Sequence, residues 1–197
     1  MILSHSIRGA ARIAVALILL SCTPQLGPST EATGRGETIV YVVRHAEKAA
    51  ENPSDPLLTP VGYARADSLA SQLREAGINR IISSNRKRTI LTAEPLAKRT
   101  NVEVEVIGLS STVPEHAQDV ASAIRLRPGA RVVVVGHSNT VGPIIAALGG
   151  PTLGDLCDSE HSNLFILTIA PGGMVRMLRE RYGPPDPPGD GKCIPMR

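Results

Sequence analysis

The chain has 197 residues, 42% of them hydrophobic, and a formal net charge of +3. That length suits one ordinary domain with tails, and the apolar content suffices for a core, which excludes a wholly disordered chain. With three Tyr, one Phe and no Trp, the core must be built from Val, Ile, Leu and Ala. Few stacking aromatics and no basic run exclude a nucleic-acid partner.

At the start of the chain, His5, Arg8 and Arg12 flank or precede IAVALILL, residues 13–20. This stretch is too short for a membrane span, which needs about 20 residues, but it suits the core of a signal peptide. LLSC, Leu19 to Cys22, follows at once. It resembles a bacterial lipobox, in which the Cys is lipidated and becomes the first mature residue. The expectation is a lipoprotein-type signal over 1–21, lipidation of Cys22 and a polar tether over 22–36. The mature protein would be exported and held by its lipid on a bacterial membrane, facing the periplasm or the exterior. Each buried methylene of a lipid contributes about 0.8 kcal/mol, so several chains anchor where one does not. Removing 1–21 takes away Arg8 and Arg12 and no acid, leaving 19 basic against 18 acidic residues, or +1. The basic isoelectric point is therefore no sign of a polyanionic partner.

The elements then alternate. TIVYVV (38–43) reads as a buried strand. TPVGYARADSLASQLREAG (59–77) has helical spacing through Val61, Ala64, Leu69, Leu73 and Ala76, with Thr59-Pro60 as cap and first turn and Gly77 as the stop. RIIS (80–83) is a short strand, and KRTILTAEPLAKRT (87–100) a helix that Pro95 should kink or divide. VEVEVI (102–107) alternates as an edge strand does. PEHAQDVASAIRL (114–126) is helical, RVVVVG (131–136) is a buried strand, and TVGPIIAALG (140–149) is a short helix. LFILTIA (164–170) and MVRMLRERYG (174–183) pair as a hairpin across Pro-Gly-Gly. The order predicts an α/β three-layer sandwich, a mainly parallel sheet flanked by helices, with antiparallel strands at its C-terminal end. It occupies 37–182, with a Pro/Gly-rich tail over 183–197.

In such a sheet ligands bind outside the carboxyl ends of the strands. The first strand ends in Arg44-His45, the second in Ser83-Ser84 ahead of Arg86, Lys87 and Arg88, and the fourth in Gly136-His137-Ser138. If these strands are neighbours, two Arg and two His converge on one pocket. Phosphoryl chemistry wants such a cluster. Arginine matches phosphate oxygens with a planar fork, a helix N-terminus adds backbone donors, and fixed positive charge stabilises a phosphoryl group in transfer. A neutral imidazole can also act as nucleophile. Arg44 and Arg88 should lower the His45 pKa by like-charge repulsion and keep a lone pair available.

RHAEK after the first strand, SSNRKRTILTAEPL in the second β–α unit and GHSNT after a late strand together resemble the histidine phosphatase, or phosphoglycerate mutase-like, superfamily. The resemblance spans residues 38 to about 182. It implies His45 as the phosphorylated nucleophile, Arg44, Arg88 and His137 as the phosphate pocket, and no metal and no cofactor. It also implies a phosphorylated small molecule or a phosphoprotein as substrate, a phosphomonoester or a phosphoramidate. Arg88 fits the family's S…RT…TA pattern, whereas Arg86 is out of register and is expected to be solvated. Glu47 and Lys48 are expected in loop or rim roles, and His116 and His161 at the surface. The family's general acid comes from the segment after the third strand. Here that segment is GLSSTVPEHAQD, and Glu115 is the candidate, with Asp119 next. Small relatives without this acid resemble phosphohistidine phosphatases, and the long insertions of cap domains are missing.

Two rival readings remain. GHSNT looks like a nucleophile elbow, with Ser138 as a serine nucleophile and Asp158 and His161 following in order, although those two are only three residues apart. A phospholigand-binding lipoprotein without turnover would keep the pocket and lose the chemistry. Export would place Cys157 and Cys193 in an oxidising compartment. A Cys157–Cys193 disulfide is expected to hold the tail, which has no other obvious anchor; two unpaired thiols are the alternative.

Overall fold

The structure is a computed structural model and describes residues 36–189 and Cys193. The signal segment, Cys22 and nearly all of the tether lie outside the described residues. Six strands and four helices follow in the order β1 (Thr38–Arg44), α1 (Pro60–Leu73), β2 (Arg80–Ser83), α2 (Lys87–Thr100), β3 (Val104–Val106), α3 (Val113–Arg125), β4 (Arg131–Gly136), α4 (Val141–Ala147), β5 (Asn163–Ile169) and β6 (Val175–Arg181). They form one sheet in the order β3-β2-β4-β1-β5-β6. The pairs among β1, β2, β3 and β4 are parallel, and β5 and β6 are antiparallel additions.

Side chains alternate across the strands, and the two apolar faces take two helices each. Val40, Val42, Ile82, Val132 and Val134 face α3 and α4, where they meet Val120, Ile124 and Ile144. Tyr41, Val43, Ile81, Val133 and Val135 face α1 and α2, where they meet Leu69, Leu73, Ala93 and Leu96. This is the α/β sandwich expected from the order of elements.

Two local readings change. The buried stripe of α1 is Gly62, Arg65, Ala66, Leu69, Ala70 and Leu73, and Val61 is exposed. The stripe has the expected period, but a charged residue sits in it. Arg65 is fully buried because it has partners. Its Nη2 lies 2.7 Å from Glu47 Oε1, its Nη1 donates to the Tyr182 carbonyl at 3.0 Å, and Asp186 lies 3.7 Å away. Pro95, in turn, does not divide α2, which runs from Lys87 to Thr100. Thr92, Ala93 and Leu96 are buried on both sides of the proline. Their packing holds the two halves in line despite the missing N–H.

The first tail residues are not loose. Asp186 accepts from the His161 and Ser162 backbone N–H groups at 2.9 and 2.8 Å and from Ser162 Oγ at 2.7 Å. Cys157 and Cys193 are joined by a disulfide, with Cα atoms 5.6 Å apart. The tail thus has a carboxylate tie as well as a covalent one.

Candidate active site

Strand register brings the site together. Arg44 pairs with Gly136 across β1 and β4, and Ser83 pairs with Val135 across β2 and β4. The three carboxyl ends therefore finish at one level, and His45, Ser84 and His137 leave the sheet side by side. The cavity there holds about 400 Å³, and Arg44, His45, Arg88, His137 and His116 line it.

The His45 ring is buried. Its Nδ1 lies 2.8 Å from the Ala46 carbonyl oxygen. A carbonyl only accepts, so Nδ1 carries the hydrogen and Nε2 keeps a lone pair. Two backbone bonds hold the turn: His45 N–H donates to Gly136 O at 2.9 Å, and Ala46 N–H to Thr92 Oγ1 at 3.0 Å. The His45 pKa is pushed down to about 2, chiefly by burial, with Arg44, His137 and Arg88 adding repulsion against the opposing bond to Ala46. Like charge contributes as the sequence suggests, but desolvation is the larger cause.

His137 shows the complementary arrangement. Arg88 Nη2 is 3.2 Å from its Nδ1, and Ser84 Oγ is 2.9 Å from its Nε2. Arginine only donates, so Nδ1 accepts and Nε2–H donates to Ser84. The Ser84 hydroxyl is then free to donate to Thr89 Oγ1 at 2.9 Å, and Thr89 passes its own hydrogen to the Arg86 carbonyl at 2.8 Å. One chain of donors fixes the tautomer. Burial, then repulsion from Arg88, lowers the His137 pKa to about 3. Thr140 has a use in the GHSNT turn, since its Oγ1 accepts the His137 backbone N–H at 2.8 Å. The two rings meet edge-on with centroids 5.4 Å apart.

Arg44 is held from the antiparallel side. Because β5 runs against β1, its amino end meets the mouth of β1, and the residues leading into it supply acceptors. Arg44 Nη1 donates to the carbonyls of Cys157 at 2.7 Å, Asp158 at 3.2 Å and Glu160 at 3.3 Å, and Nη2 approaches Asp158 Oδ1 at 3.4 Å. Burial lowers the Arg44 pKa against the pull of Asp158. The Nε donors of Arg44 and Arg88 are buried and have no partner among the described residues. Such groups are costly to leave unpaired, and Arg80 Nε, away from the cavity, shares that state.

Several expected placements change. Glu115 caps α3: its Oε2 accepts the Thr112 N–H at 3.1 Å while its own N–H donates to Thr112 Oγ1. It does not line the cavity, so the sequence candidate for general acid is spent on a helix end. Asp119 accepts from Ser110 Oγ at 2.5 Å and is absent from the lining too. His116 and His161, expected at the surface, are both buried. His161 Nδ1 bonds the His45 carbonyl oxygen at 3.0 Å, with the two rings 6.0 Å apart. Arg86 is half-buried at the cavity rim beside Lys48, because the N-cap position of α2 faces the mouth. The serine constellation does not assemble: Asp158 approaches Arg44, and among the described residues no hydrogen bond joins His161 to Asp158 or to Ser138. The first N–H of α2, on Lys87, is taken by Asp55 Oδ1 at 2.9 Å, so that donor is not available to a ligand.

Residues 40–108 match the family model described as histidine phosphatase superfamily (branch 1). "Probable phosphoglycerate mutase GpmB" of Proteus mirabilis is 38% identical over 71 residues, covering 33% of this chain and 33% of the relative. The same-named protein of Escherichia coli O1:K1 matches equally, so the chain spans about a third of the length of these curated relatives. Among solved structures, the protein histidine phosphatase SixA complexed with tungstate superposes with TM-score 0.58 at 20% identity, over 73% of this chain and 96% of that one. A mycobacterial glucosyl-3-phosphoglycerate phosphatase gives 0.56 at 16%, over 75% and 99%. A phosphoserine phosphatase of Entamoeba histolytica, in complex with 3-phosphoglyceric acid, gives 0.55 at 17%, over 75% and 98%. At those identities the likeness is one of fold. Residues 40–108 are thus similar in sequence to the histidine phosphatase superfamily (branch 1), and the solved structures share the fold that carries them.

Proposed function

We propose that the chain hydrolyses a phosphorylated substrate, a phosphomonoester or a phosphoramidate, through a phosphohistidine formed on His45. One observation carries the reading: a buried imidazole held neutral, its Nδ1–H committed to Ala46 O, stands in a cavity that Arg44, Arg88 and His137 also line. The phosphoryl oxygens take the free donors of Arg44 and Arg88, which also offset charge in the transition state. His45 Nε2 attacks phosphorus in line as the ester or phosphoramidate bond breaks. Water then attacks the phosphohistidine and releases phosphate. Arginine supplies the positive charge at each step, so the scheme uses no metal. Like-fold proteins named as phosphatases of protein phosphohistidine, glucosyl-3-phosphoglycerate and phosphoserine support a phosphorylated small molecule or phosphoprotein as substrate.

Rapid quench of the full chain with p-nitrophenyl phosphate gives an acid-labile, base-stable phosphoryl adduct that mass spectrometry maps to His45, and Ser138→Ala leaves it intact. Binding of phosphate with no adduct would establish the non-catalytic reading. An acyl adduct on Ser138 from p-nitrophenyl acetate would establish the serine hydrolase.

The chain is further proposed to be exported and lipid-anchored at Cys22, a reading supported by LLSC directly after the apolar stretch 13–20. Cells fed labelled palmitate incorporate it into the chain and not into the Cys22→Ser variant; equal labelling of both would refute the anchor.

A further inference from the structure

Breaking a P–O ester bond produces an alkoxide, which leaves far faster if it is given a proton. With Glu115 committed to the α3 cap, the donor must come from the other titratable groups of the cavity. Arginine does not give up a proton near neutral pH. His137 has both ring nitrogens engaged. Asp158 is paired with Arg44, and Lys48 is exposed at the rim.

His116 is the group left over. It sits one turn into α3, its backbone N–H donating to the Thr112 carbonyl at 3.1 Å, and the residue is only 3% exposed yet lines the cavity with His45 and His137. Its Nδ1 lies 3.1 Å from Gly108 O. That acceptor fixes the hydrogen on Nδ1 and orients the ring from the loop between β3 and α3. Nε2 has no hydrogen-bond partner among the described residues.

We propose that His116 is the proton donor to the leaving-group oxygen and then the base that activates water; the proposal rests on His45 being the nucleophile. In the first half, His45 Nε2 forms the N–P bond, the P–O ester bond breaks, and the departing oxygen takes the proton from His116 Nε2. The ring is left neutral, with Nδ1–H still on Gly108 O. In the second half, water gives a proton to His116 Nε2 as its oxygen attacks phosphorus. The N–P bond breaks, its electron pair returns to His45, and the imidazolium of His116 is restored. The cycle closes with one water consumed. It also places an acid in the cavity that serves esters with poor leaving groups, and so points to an alkyl phosphomonoester as the substrate class.

The test compares kcat/KM on glycerol 2-phosphate, a poor leaving group, and on p-nitrophenyl phosphate, a good one. His116→Asn keeps an amide N–H in the place of Nδ1, facing Gly108 O, and removes Nε2; His116→Gln is the second variant. We expect a loss of about 10²–10³-fold on glycerol 2-phosphate for both, and less than about tenfold on p-nitrophenyl phosphate. Equal losses on the two substrates, or no loss, would overturn the role of His116 while the adduct on His45 persists. If the wild type forms no adduct at all, the nucleophile assignment fails first, and the proposal falls with it.

Discussion

The His45→Ala protein loses hydrolysis of p-nitrophenyl phosphate by at least ~10³-fold, with the fold retained. The size follows from the role: a nucleophile has no substitute in the cavity, and what survives is electrostatic stabilisation by Arg44 and Arg88 of direct attack by water. Residual activity within tenfold of wild type would sink the phosphohistidine scheme. The same variant has a second readout. In the folded protein His45 refuses a proton until about pH 2, whereas an unfolded imidazole accepts one below about 6.5. The unfolded state therefore gains protons first, and stability is lost as pH falls from about 6.5 toward 2. Between pH 6.5 and 4 this one ring accounts for up to roughly 3 kcal/mol. Chemical denaturation at pH 7 and pH 4 shows a smaller acid-induced loss for His45→Ala than for wild type, and equal losses would contradict the buried neutral ring.

Replacing Arg65 with Met lowers stability by about 3–5 kcal/mol, because it strands the half-buried Glu47 carboxylate, while Asp186 keeps Ser162, His161 and Arg181. Arg65 is the fully buried hub: its Nε is 3.0 Å from both Glu47 oxygens and its guanidinium lies 5.8 Å from the Tyr182 ring centre. For a chain of this size the loss lowers Tm by roughly 10 °C. Burial alone would raise the Glu47 pKa, but the Arg65 hydrogen bonds and charge hold it below the usual range. Desolvation likewise opposes the Asp186 shift, which the Ser162 and His161 hydrogen bonds and the Arg65 charge turn downward. Both carboxylates stabilise the fold above the ordinary carboxylate pKa, and that share is lost as pH falls through the depressed folded values. In Arg65→Met the Glu47 part of this acid dependence shrinks. Calorimetry across pH 3 to 7 reads both effects, and a Tm within 2 °C of wild type at pH 7 would show that the pair adds nothing. Glu47 follows His45 by two residues, so the variant also loosens the turn that presents the nucleophile.

The elements were legible because period and punctuation agree in each. Val-rich runs of six, a Thr-Pro helix start and Pro-Gly-Gly between two strands leave little choice. The shared carboxyl edge was legible too, since Arg44, Arg88 and His137 each follow a strand. Three things were not. Arg65 hid the buried face of α1, because a charge on an apolar stripe reads as a solvent-facing residue until its partner, eighteen residues upstream, is known. Glu115 and His116 are adjacent, and a helix turns adjacent residues by about 100°, so only the local direction of α3 decides which one meets the cavity. A capping box, Thr112 with Glu115, was the available signal, and it argues against Glu115 being free. The clamp on Arg44 left no trace at all, for its acceptors are main-chain carbonyls, which every residue has.

That clamp makes the mouth of the sheet unequal in sign. Cationic side chains crowd the side fed by parallel strands, where Arg86, Arg88 and Lys48 stand. On the side fed by β5, the backbone oxygens and the Asp158 carboxylate are taken up by Arg44 and offset its charge. A dianion diffusing in would therefore meet a field across the opening, drawn more to the wall of uncompensated cations than to the one where Arg44 is already offset, before any bond to it forms. The single reversal of strand direction beside β1 acts as an orientation filter. On the proposed function, a phosphoryl head would be turned toward Arg88 during approach, and the rest of the substrate left to find the other wall.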